Sequence, residues 1–153
     1  MALEQTLAII KPDAIKNKHI GHIIEKIEAK GFAIQQAFML QLAQEEAAEF
    51  YHIHADKPFF NDLTTFMSSA PLMIMILEKE NAIAEWRTLM GATNPSEAEA
   101  GTIRAEYADS IDENAVHGSD SLETAFEEIT FFFDADEALD FEETPESDTA
   151  ASE

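Results

Sequence analysis

The segment PLMIMIL at residues 71–77 is apolar at every position. A strand with one solvated face alternates apolar and polar residues, whereas a strand buried on both faces is apolar throughout. The segment therefore predicts a buried strand that is apolar on both faces. A second apolar run, TLAIIK at residues 6–11, predicts another strand that ends at Pro12, because proline has no N–H for a ladder hydrogen bond.

Helix and strand patterns alternate around these two runs. Ile20, Ile23, Ile24 and Ile27 follow the i, i+3, i+4, i+7 spacing of one helix face, and Gly31 is the predicted C-cap. The next segment, FAIQQAFMLQL at residues 32–42, predicts a second strand. Further helices are predicted at residues 44–51, 59–67 and 81–90, the last with Asn81 as its N-cap.

The C-terminal part of the pattern is less regular. Residues 91–114 are punctuated by Gly, Thr, Asn and Pro and predict a long loop-rich segment. The motif DSLE at residues 120–123 predicts a capping box that opens a helix running to about Ile129, and TFFF at residues 130–133 predicts a last short strand. The order β-α-β-α-α-β-α-loop-α-β predicts an α+β, ferredoxin-like α/β sandwich: a four-stranded antiparallel sheet with helices packed on one face.

The composition limits the classes of protein. The 153 residues include 31 acidic and 9 basic side chains, which give a formal net charge of −22, and no cysteine. The absence of cysteine excludes disulfides, thiolate metal sites and thiol catalysis. Such an acidic chain is not expected to bind nucleic acid or an acidic membrane surface. No signal peptide and no apolar run long enough to span a bilayer is evident, so we expect a cytoplasmic protein.

The acidic residues are concentrated at the C-terminal end. Residues 134–153 hold nine Asp and Glu and no Lys or Arg. We therefore divide the chain into a domain at residues 1–140 and an acidic tail at residues 141–153, which we expect to be disordered. A salt-adapted source and an ordinary soluble protein both remain open as reasons for the charge.

Few standard motifs for phosphate or metal binding occur. The chain has no P-loop, no Gly-x-Gly-x-x-Gly after a strand and no His-Glu-x-x-His. His52 and His54 are two residues apart and could contact a metal, but without a third ligand an exposed surface position is the better interpretation.

His117 has the best position for chemistry. It lies in NAVHGSDS at residues 114–121, just before the predicted capping box. A histidine next to a glycine at a helix entry lies near the positive end of the helix, which favours an incoming phosphate and a neutral, nucleophilic ring. The alternative is a loop histidine that only caps a neighbouring group.

Three of the nine basic residues lie in unusual contexts. Lys11 ends a predicted strand, Arg87 lies on a predicted helix, and Arg104 lies in the loop-rich segment. A chain this acidic could bind a polyphosphate only through a local cluster of cations, helped by Mg²⁺. If the three residues converge near His117, they form such a site; otherwise each is a solvated surface charge.

Several blocks of the sequence resemble nucleoside diphosphate kinases. They are TLAIIKPDA from Thr6, FYHIHADKPFF from Phe50, RTLMGATNP from Arg87, AGTIRAEYADSIDENAVHGSDS from Ala100 and ETAFEEITFFF from Glu123. Together they span residues 6–133. The resemblance implies a ferredoxin-like sandwich and ping-pong transfer of a γ-phosphate from a nucleoside triphosphate to a nucleoside diphosphate through a phosphohistidine.

The resemblance also implies roles for individual residues. His117 is similar to the phosphorylated histidine, and Lys11 to the lysine that reaches the γ-phosphate and the ribose 3′-hydroxyl. Asn114 matches the ribose contact, and Arg104 matches the arginine that bridges the β- and γ-phosphates.

Other matched residues surround these four. His54, Arg87 and Thr93 match groups on the α- and β-phosphates. Phe59 matches the aromatic side chain that stacks on the base, and Ile111 lies on the opposite side of the base.

Three matched residues support the histidine. Tyr51 matches the tyrosine beside it, and Glu128 matches the carboxylate near it, with Ser119 beside that carboxylate. The departures are Ala70, where the family usually has glycine, and the acidic tail.

The implied ligands are ATP and other nucleoside tri- and diphosphates, with Mg²⁺ held mainly by the nucleotide phosphates and not by protein ligands. Similarity to bacterial members implies a homo-tetramer or homo-hexamer that maintains NTP and dNTP pools. Two alternatives remain: a nucleotide-binding module without turnover, and a different histidine-dependent phosphotransferase.

Overall fold

A four-stranded antiparallel sheet is the centre of the computed structural model, which describes residues 3–133. The strands are β1 (Leu3–Ile10), β2 (Ala33–Leu40), β3 (Leu72–Glu80) and β4 (Val116–Gly118), in the order β2-β3-β1-β4. The two central strands pair along their full length, from Leu3 opposite Glu80 to Ile10 opposite Met73. The buried strand predicted at residues 71–77 is therefore confirmed as β3.

Seven helices connect and cover the strands within the described residues. They are α1 (Pro12–Lys16), α2 (Ile20–Ala29), α3 (Gln44–Phe50), α4 (Phe60–Met67), α5 (Ala82–Met90), α6 (Ile103–Tyr107) and α7 (Leu122–Phe132). The C-cap of α2 is Lys30, and the predicted residue, Gly31, comes one position later with φ of +90°, a conformation that favours glycine just past a helix end. None of the helices in residues 3–133 has the length and apolar character needed to cross a membrane.

The helices lie on both faces of the sheet, and not on one face as the pattern of elements predicted. Ala8 and Ile10 of β1 belong to a core with α1, α2, α5 and α6, whereas Leu7 and Ile9 belong to a second core with α3, α4 and α7. Successive strand residues point to opposite faces, so two cores need strands that are apolar at every position. The uninterrupted apolar run in β3 is explained by the same two cores.

The predicted fourth strand is wrong. Residues 130–133 continue α7 to Phe132, and the fourth strand is Val116–Gly118, which lies at the edge of the sheet beside β1. The aromatic residues favour a strand locally, but Ala125, Ile129 and Phe133 recur every four residues and are buried together. Their burial against the sheet holds the segment helical.

Three local predictions also need correction. The segment at residues 91–114 contains α6 and a 3₁₀ turn at Pro95–Glu97, so it is not only loop. Asn81 precedes α5, but its backbone is left-handed and its side chain makes no cap hydrogen bond. The N-cap of α7 is Ser121, which accepts a hydrogen bond from the Thr124 N–H. The predicted acidic tail at residues 141–153 lies outside the described residues.

Candidate functional site

The register of the edge strand fixes the direction of the His117 side chain. Ile9 of β1 lies opposite His117, and Ala8 lies opposite Gly118. Paired residues share a face of the sheet. His117 therefore lies on the face covered by α3 and α7, and Gly118 lies on the face covered by α5.

The His117 ring is held by a carboxylate from α7. Its Nε2 lies 3.0 Å from Glu128 Oε1, and the same oxygen accepts a hydrogen bond of 2.8 Å from the Ser119 hydroxyl. The Leu7 N–H contacts the Ser119 hydroxyl oxygen at 3.4 Å. Because a carboxylate only accepts, we assign the ring proton to Nε2, which leaves the lone pair of a neutral imidazole on Nδ1.

Aromatic side chains enclose the same ring. The ring centroids of Phe50 and Tyr51 lie 5.4 and 5.9 Å from that of His117. Tyr51 is buried, and its hydroxyl has no hydrogen-bond partner among residues 3–133. Burial and the nearby Glu128 carboxylate both raise the pKa of Tyr51, so its hydroxyl stays protonated at neutral pH.

Lys11 and Asn114 form a buried pair close to the histidine segment. The Lys11 ammonium donates a 2.7 Å hydrogen bond to Asn114 Oδ1, and the Asn114 amide donates to the Thr93 carbonyl at 3.3 Å. Burial, together with the positive charge of Arg104, lowers the pKa of Lys11 to about 8. The site therefore contains an ammonium group that titrates near physiological pH.

Arg104 joins the end of α5 to the segment that leads into β4. Its guanidinium donates to the carbonyls of Gly91, Asn114 and Val116 at 3.0, 3.2 and 2.8 Å. Burial and the positive charge of Arg87 lower the pKa of Arg104 to about 10, so it remains charged at neutral pH. Three of the five guanidinium N–H groups are used, which leaves two for another acceptor.

The outer part of the site is formed by exposed side chains. The His54 ring lies between Tyr51 and Phe59, with centroid distances of 6.4 and 5.7 Å. Phe59 is 45% exposed and Ile111 is 54% exposed. Ile111 lies three residues before Asn114 in the chain. Arg87 and Thr93 are also exposed.

His52, the second member of the predicted histidine pair, contacts the backbone of its own segment. Its Nδ1 lies 3.1 Å from the Glu49 carbonyl, and the residue is exposed. Across residues 3–133, no cluster of three or more His, Asp or Glu side chains is suited to a metal ion. The surface interpretation therefore fits His52 better than a metal ligand.

Trp86 supports the His117 backbone, a role that the sequence did not predict. This side chain is fully buried, and its indole N–H donates to the His117 carbonyl at 3.1 Å. A Cβ atom at Gly118 would lie 2.5 Å from Trp86 Cδ1, which is closer than any real contact. The only sequence signal was that Trp86 is the single tryptophan in the chain.

A tight turn precedes β4, and it too was not predicted from the sequence. Ala115 has a φ of +76°, and the Val116 N–H donates to the Asn114 carbonyl at 2.9 Å. Asp13 accepts a hydrogen bond of 3.0 Å from the Ala115 N–H. A hydrogen bond between residues i and i+2 with positive φ at the central residue is a strained γ-turn.

A histidine that a carboxylate holds through Nε2, together with the cations of Lys11 and Arg104, is typical of an enzyme that transfers phosphoryl groups. The family model described as "Nucleoside diphosphate kinase" matches residues 4–138. The chain belongs to the nucleoside diphosphate kinase family, whose members are phosphotransferases.

Individual relatives agree with this assignment. The chain is 56% identical to "Nucleoside diphosphate kinase 1" from Protochlamydia amoebophila, over 90% of this chain and 97% of the relative. The structure superposes on the Aquifex aeolicus nucleoside diphosphate kinase with a TM-score of 0.86 at 40% identity, covering 88% of this chain and 97% of that one. It also superposes on a halophilic nucleoside diphosphate kinase from Halobacterium salinarum in complex with CDP. The TM-score is 0.84 at 38% identity, covering 89% of this chain and 91% of that one.

Proposed function

We propose that the protein is an active nucleoside-diphosphate kinase that transfers the γ-phosphate of ATP or another nucleoside triphosphate to a nucleoside diphosphate. The observation that carries the proposal is the hydrogen bond between His117 Nε2 and Glu128, because it leaves Nδ1 as the nucleophile. The CDP bound to the Halobacterium salinarum relative supports a nucleotide ligand.

The reaction proceeds in two half-reactions at His117. The Nδ1 lone pair forms a bond to the γ-phosphorus, and the bond from that phosphorus to the β–γ bridging oxygen breaks, which releases the diphosphate. A second diphosphate then attacks the phosphohistidine through a terminal oxygen and restores the free ring. Glu128 stabilises the positive charge that the ring gains on phosphorylation.

The cations and polar groups around His117 take the phosphates and the ribose. Lys11 binds the γ-phosphate and the ribose 3′-hydroxyl, and its contact with Asn114 already joins the two groups assigned to the sugar. The two unused N–H groups of Arg104 bind the β- and γ-phosphates. Arg87 and Thr93 complete the phosphate contacts on the open side.

The aromatic side chains of His54 and Tyr51 complete the assignment. His54 contacts the α- and β-phosphates, and the protonated Tyr51 hydroxyl remains beside the reacting histidine. Positioning and charge neutralisation of this kind account for most of the catalysis in phosphoryl transfer.

Mg²⁺ fits this site as a companion of the nucleotide. Its preferred ligands are oxygens, and in nucleotide sites phosphates and waters supply most of them. Mg²⁺ therefore does not need a cluster of three His, Asp or Glu side chains, and residues 3–133 hold none suited to a metal ion. When bound, Mg²⁺ neutralises charge on the phosphate oxygens.

The first prediction concerns the breadth of substrates. The exposed Phe59 offers an aromatic face, and Ile111 offers an apolar edge, but neither side chain has a hydrogen-bonding group that distinguishes one base from another. We expect purine and pyrimidine diphosphates, both ribo and deoxy, to accept phosphate. Steady-state assays with a panel of diphosphates would contradict this if one base were preferred by several orders of magnitude in kcat/KM.

The second prediction identifies the nucleophile. His117→Gln removes the nucleophilic nitrogen but keeps a polar side chain of similar size. We expect this variant to fold and bind nucleotide, to incorporate no label from γ-labelled ATP, and to lose turnover by several orders of magnitude. The label on the unchanged protein should survive alkali and be released by acid, as a phosphoramidate does.

His52→Gln is the matched control for that experiment, because it makes the same change at an exposed histidine with a backbone contact only. It should keep normal labelling and turnover. Near-normal turnover of His117→Gln would show that another residue carries the phosphate. Nucleotide binding without labelling in the unchanged protein would instead favour a regulatory module.

We also propose that the enzyme is a cytoplasmic homo-tetramer or homo-hexamer that maintains NTP and dNTP pools, from its resemblance to bacterial members. Light scattering on the full-length protein measures the mass of the assembly in solution, which distinguishes a tetramer from a hexamer.

A further inference from the structure

Ala115 is held in a conformation that alanine rarely adopts. It is the central residue of the γ-turn between Asn114 and Val116, with φ of +76°. A side chain with a Cβ atom is strained at this angle and would relax to negative φ if nothing opposed it. The turn therefore needs partners that hold both peptide groups of Ala115 in place.

Arg104 holds the Asn114 and Val116 carbonyls on either side of Ala115, and two groups on the segment after β1 hold the N–H and the carbonyl of Ala115 itself. The Lys11 N–H donates to the Ala115 carbonyl at 2.8 Å, and the Asp13 carboxylate accepts from the Ala115 N–H at 3.0 Å. Asp13 is only 5% exposed, and its second carboxylate oxygen has no hydrogen-bond partner among the described residues. A buried carboxylate is costly, and burial raises the pKa of Asp13. The Lys11 charge and the hydrogen bond from the Ala115 N–H both stabilise the charged carboxylate and offset part of this cost.

The position of the turn explains why it matters. Asn114 lies directly before Ala115, and His117 lies two residues after it. A change of φ at residue 115 would rotate both side chains relative to each other and would move the histidine away from Glu128. A displacement of about 1 Å in a catalytic site can reduce the rate about 100-fold.

We propose that Asp13 is a positioning residue for phosphoryl transfer: it holds the strained Ala115 turn and thereby sets the geometry between Asn114 and His117. The inference rests on the proposed function of His117. Asp13 itself touches neither the nucleotide nor the reacting atoms in this role.

The experiment compares three variants in single-turnover phosphorylation of the full chain by γ-labelled ATP. Asp13→Leu keeps the branching at Cγ but has a larger side chain and no acceptor, and we expect its rate at saturating ATP to fall about 100-fold, with a much smaller change in the ATP concentration for half-maximal rate. Asp13→Asn keeps an acceptor for the Ala115 N–H. Because loss of the Asp13 charge lowers the pKa of Lys11 further, the rates are compared at saturating ATP below about pH 7, where this variant should phosphorylate at close to the normal rate even if its melting temperature falls. If Asp13→Leu does not fold, Asp13→Ala makes the same test.

A double-variant comparison then separates positioning from general stability. Glycine adopts positive φ without strain, so the Ala115→Gly background should need less anchoring. We expect the rate lost on Asp13→Leu to be clearly smaller in that background than in the original chain. Equal losses in both backgrounds, or a normal rate for Asp13→Leu, would overturn the proposal.

Loss of activity in Asp13→Asn as severe as in Asp13→Leu would also overturn it, because it would indicate that the charge of Asp13, and not its acceptor, is required. The unchanged protein distinguishes the two levels of inference. If it is not labelled by ATP at all, the proposed function fails; if it is labelled and Asp13→Leu behaves normally, only the role of Asp13 fails.

Discussion

Lys11 shows how a single residue combines structural cost and function. An ammonium group loses solvation when it is buried, and the nearby Arg104 repels it further, so its pKa falls to about 8. The contact with Asn114 Oδ1 satisfies one of its three N–H groups. The remaining capacity is available to a phosphate, whose negative charge would restore the preference for the protonated form.

The third prediction follows from this pKa. In the free enzyme, Lys11 is charged below about pH 8 and becomes neutral above it. Since the phosphate binds the cation, kcat/KM should fall as the pH rises through about 8. In the nucleotide complex the phosphate raises the pKa of Lys11, so the fall in kcat should occur at higher pH than the fall in kcat/KM.

Lys11→Arg is the informative variant for this pH dependence. A guanidinium keeps its charge throughout the range, so the alkaline fall should disappear, although overall activity drops because the geometry differs. An alkaline limb that is unchanged in Lys11→Arg would assign the titration to another group.

Residue identity predicted part of the site and not the rest. His117, Lys11 and Arg104 stood out because their types are informative in a chain with only nine basic residues. Trp86, Asp13 and Ala115 did not stand out, because their roles depend on contacts between distant parts of the chain. Trp86 contacts a residue 31 positions away, and Asp13 and Ala115 are 102 positions apart. The alternation of side chains on β4 places Trp86 and His117 on opposite faces of the sheet, and no local pattern reveals that relation.

At the scale of elements, the edge strand and α7 show where local patterns fail. A strand of three residues is too short to produce a periodic signal, so β4 could not be recognised from Val116–Gly118 alone. The aromatic residues at 131–133 favour a strand by propensity, yet packing of α7 on the sheet decides the outcome. The apolar runs located both central strands, but residues 3–5 of β1 and 78–80 of β3 were missed because most of them are polar.

The fourth prediction concerns the start of α7. Ser121 Oγ accepts from the Thr124 N–H at 3.1 Å, and Thr124 Oγ1 accepts from the Ser121 N–H at 3.0 Å. Ser121→Ala removes the cap and should reduce the free energy of unfolding by about 1 kcal/mol, measured by urea denaturation. Activity should change little, because Glu128 lies farther along the helix.

Ser69→Ala serves as the control for this measurement, since Ser69 is exposed and its hydroxyl donates to a backbone carbonyl outside any N-cap. Its effect should stay within about 0.5 kcal/mol. A cost for Ser121→Ala no larger than that of the control would show that the cap contributes nothing.

At the scale of the whole molecule, the charge is the dominant property. The 31 acidic and 9 basic residues produce repulsion that acts over the distance of the Debye length. Three of the basic residues, Lys11, Arg87 and Arg104, lie in the candidate site, so the rest of the surface is more acidic still. The acidic body and the cationic site are therefore electrostatically distinct.

The fifth prediction is that thermal stability rises with salt. The Debye length falls from about 30 Å at 0.01 M to about 3 Å at 1 M, which screens the repulsion. Melting temperatures measured over this range of NaCl should increase, and a chain that ends before residue 134 should show a weaker trend. A flat or falling melting temperature would reject electrostatic repulsion as a limit on stability.

The contact between Gly118 and Trp86 limits how this protein can evolve. A methyl group at residue 118 has no room while the indole is present, because overpacking would push the strand that carries His117. A smaller side chain at residue 86 would open that room but would also remove the N–H that holds the His117 carbonyl. Neither position can therefore drift independently, and any replacement that preserves catalysis must arise as a coordinated pair, with a new donor to the backbone supplied at the same time.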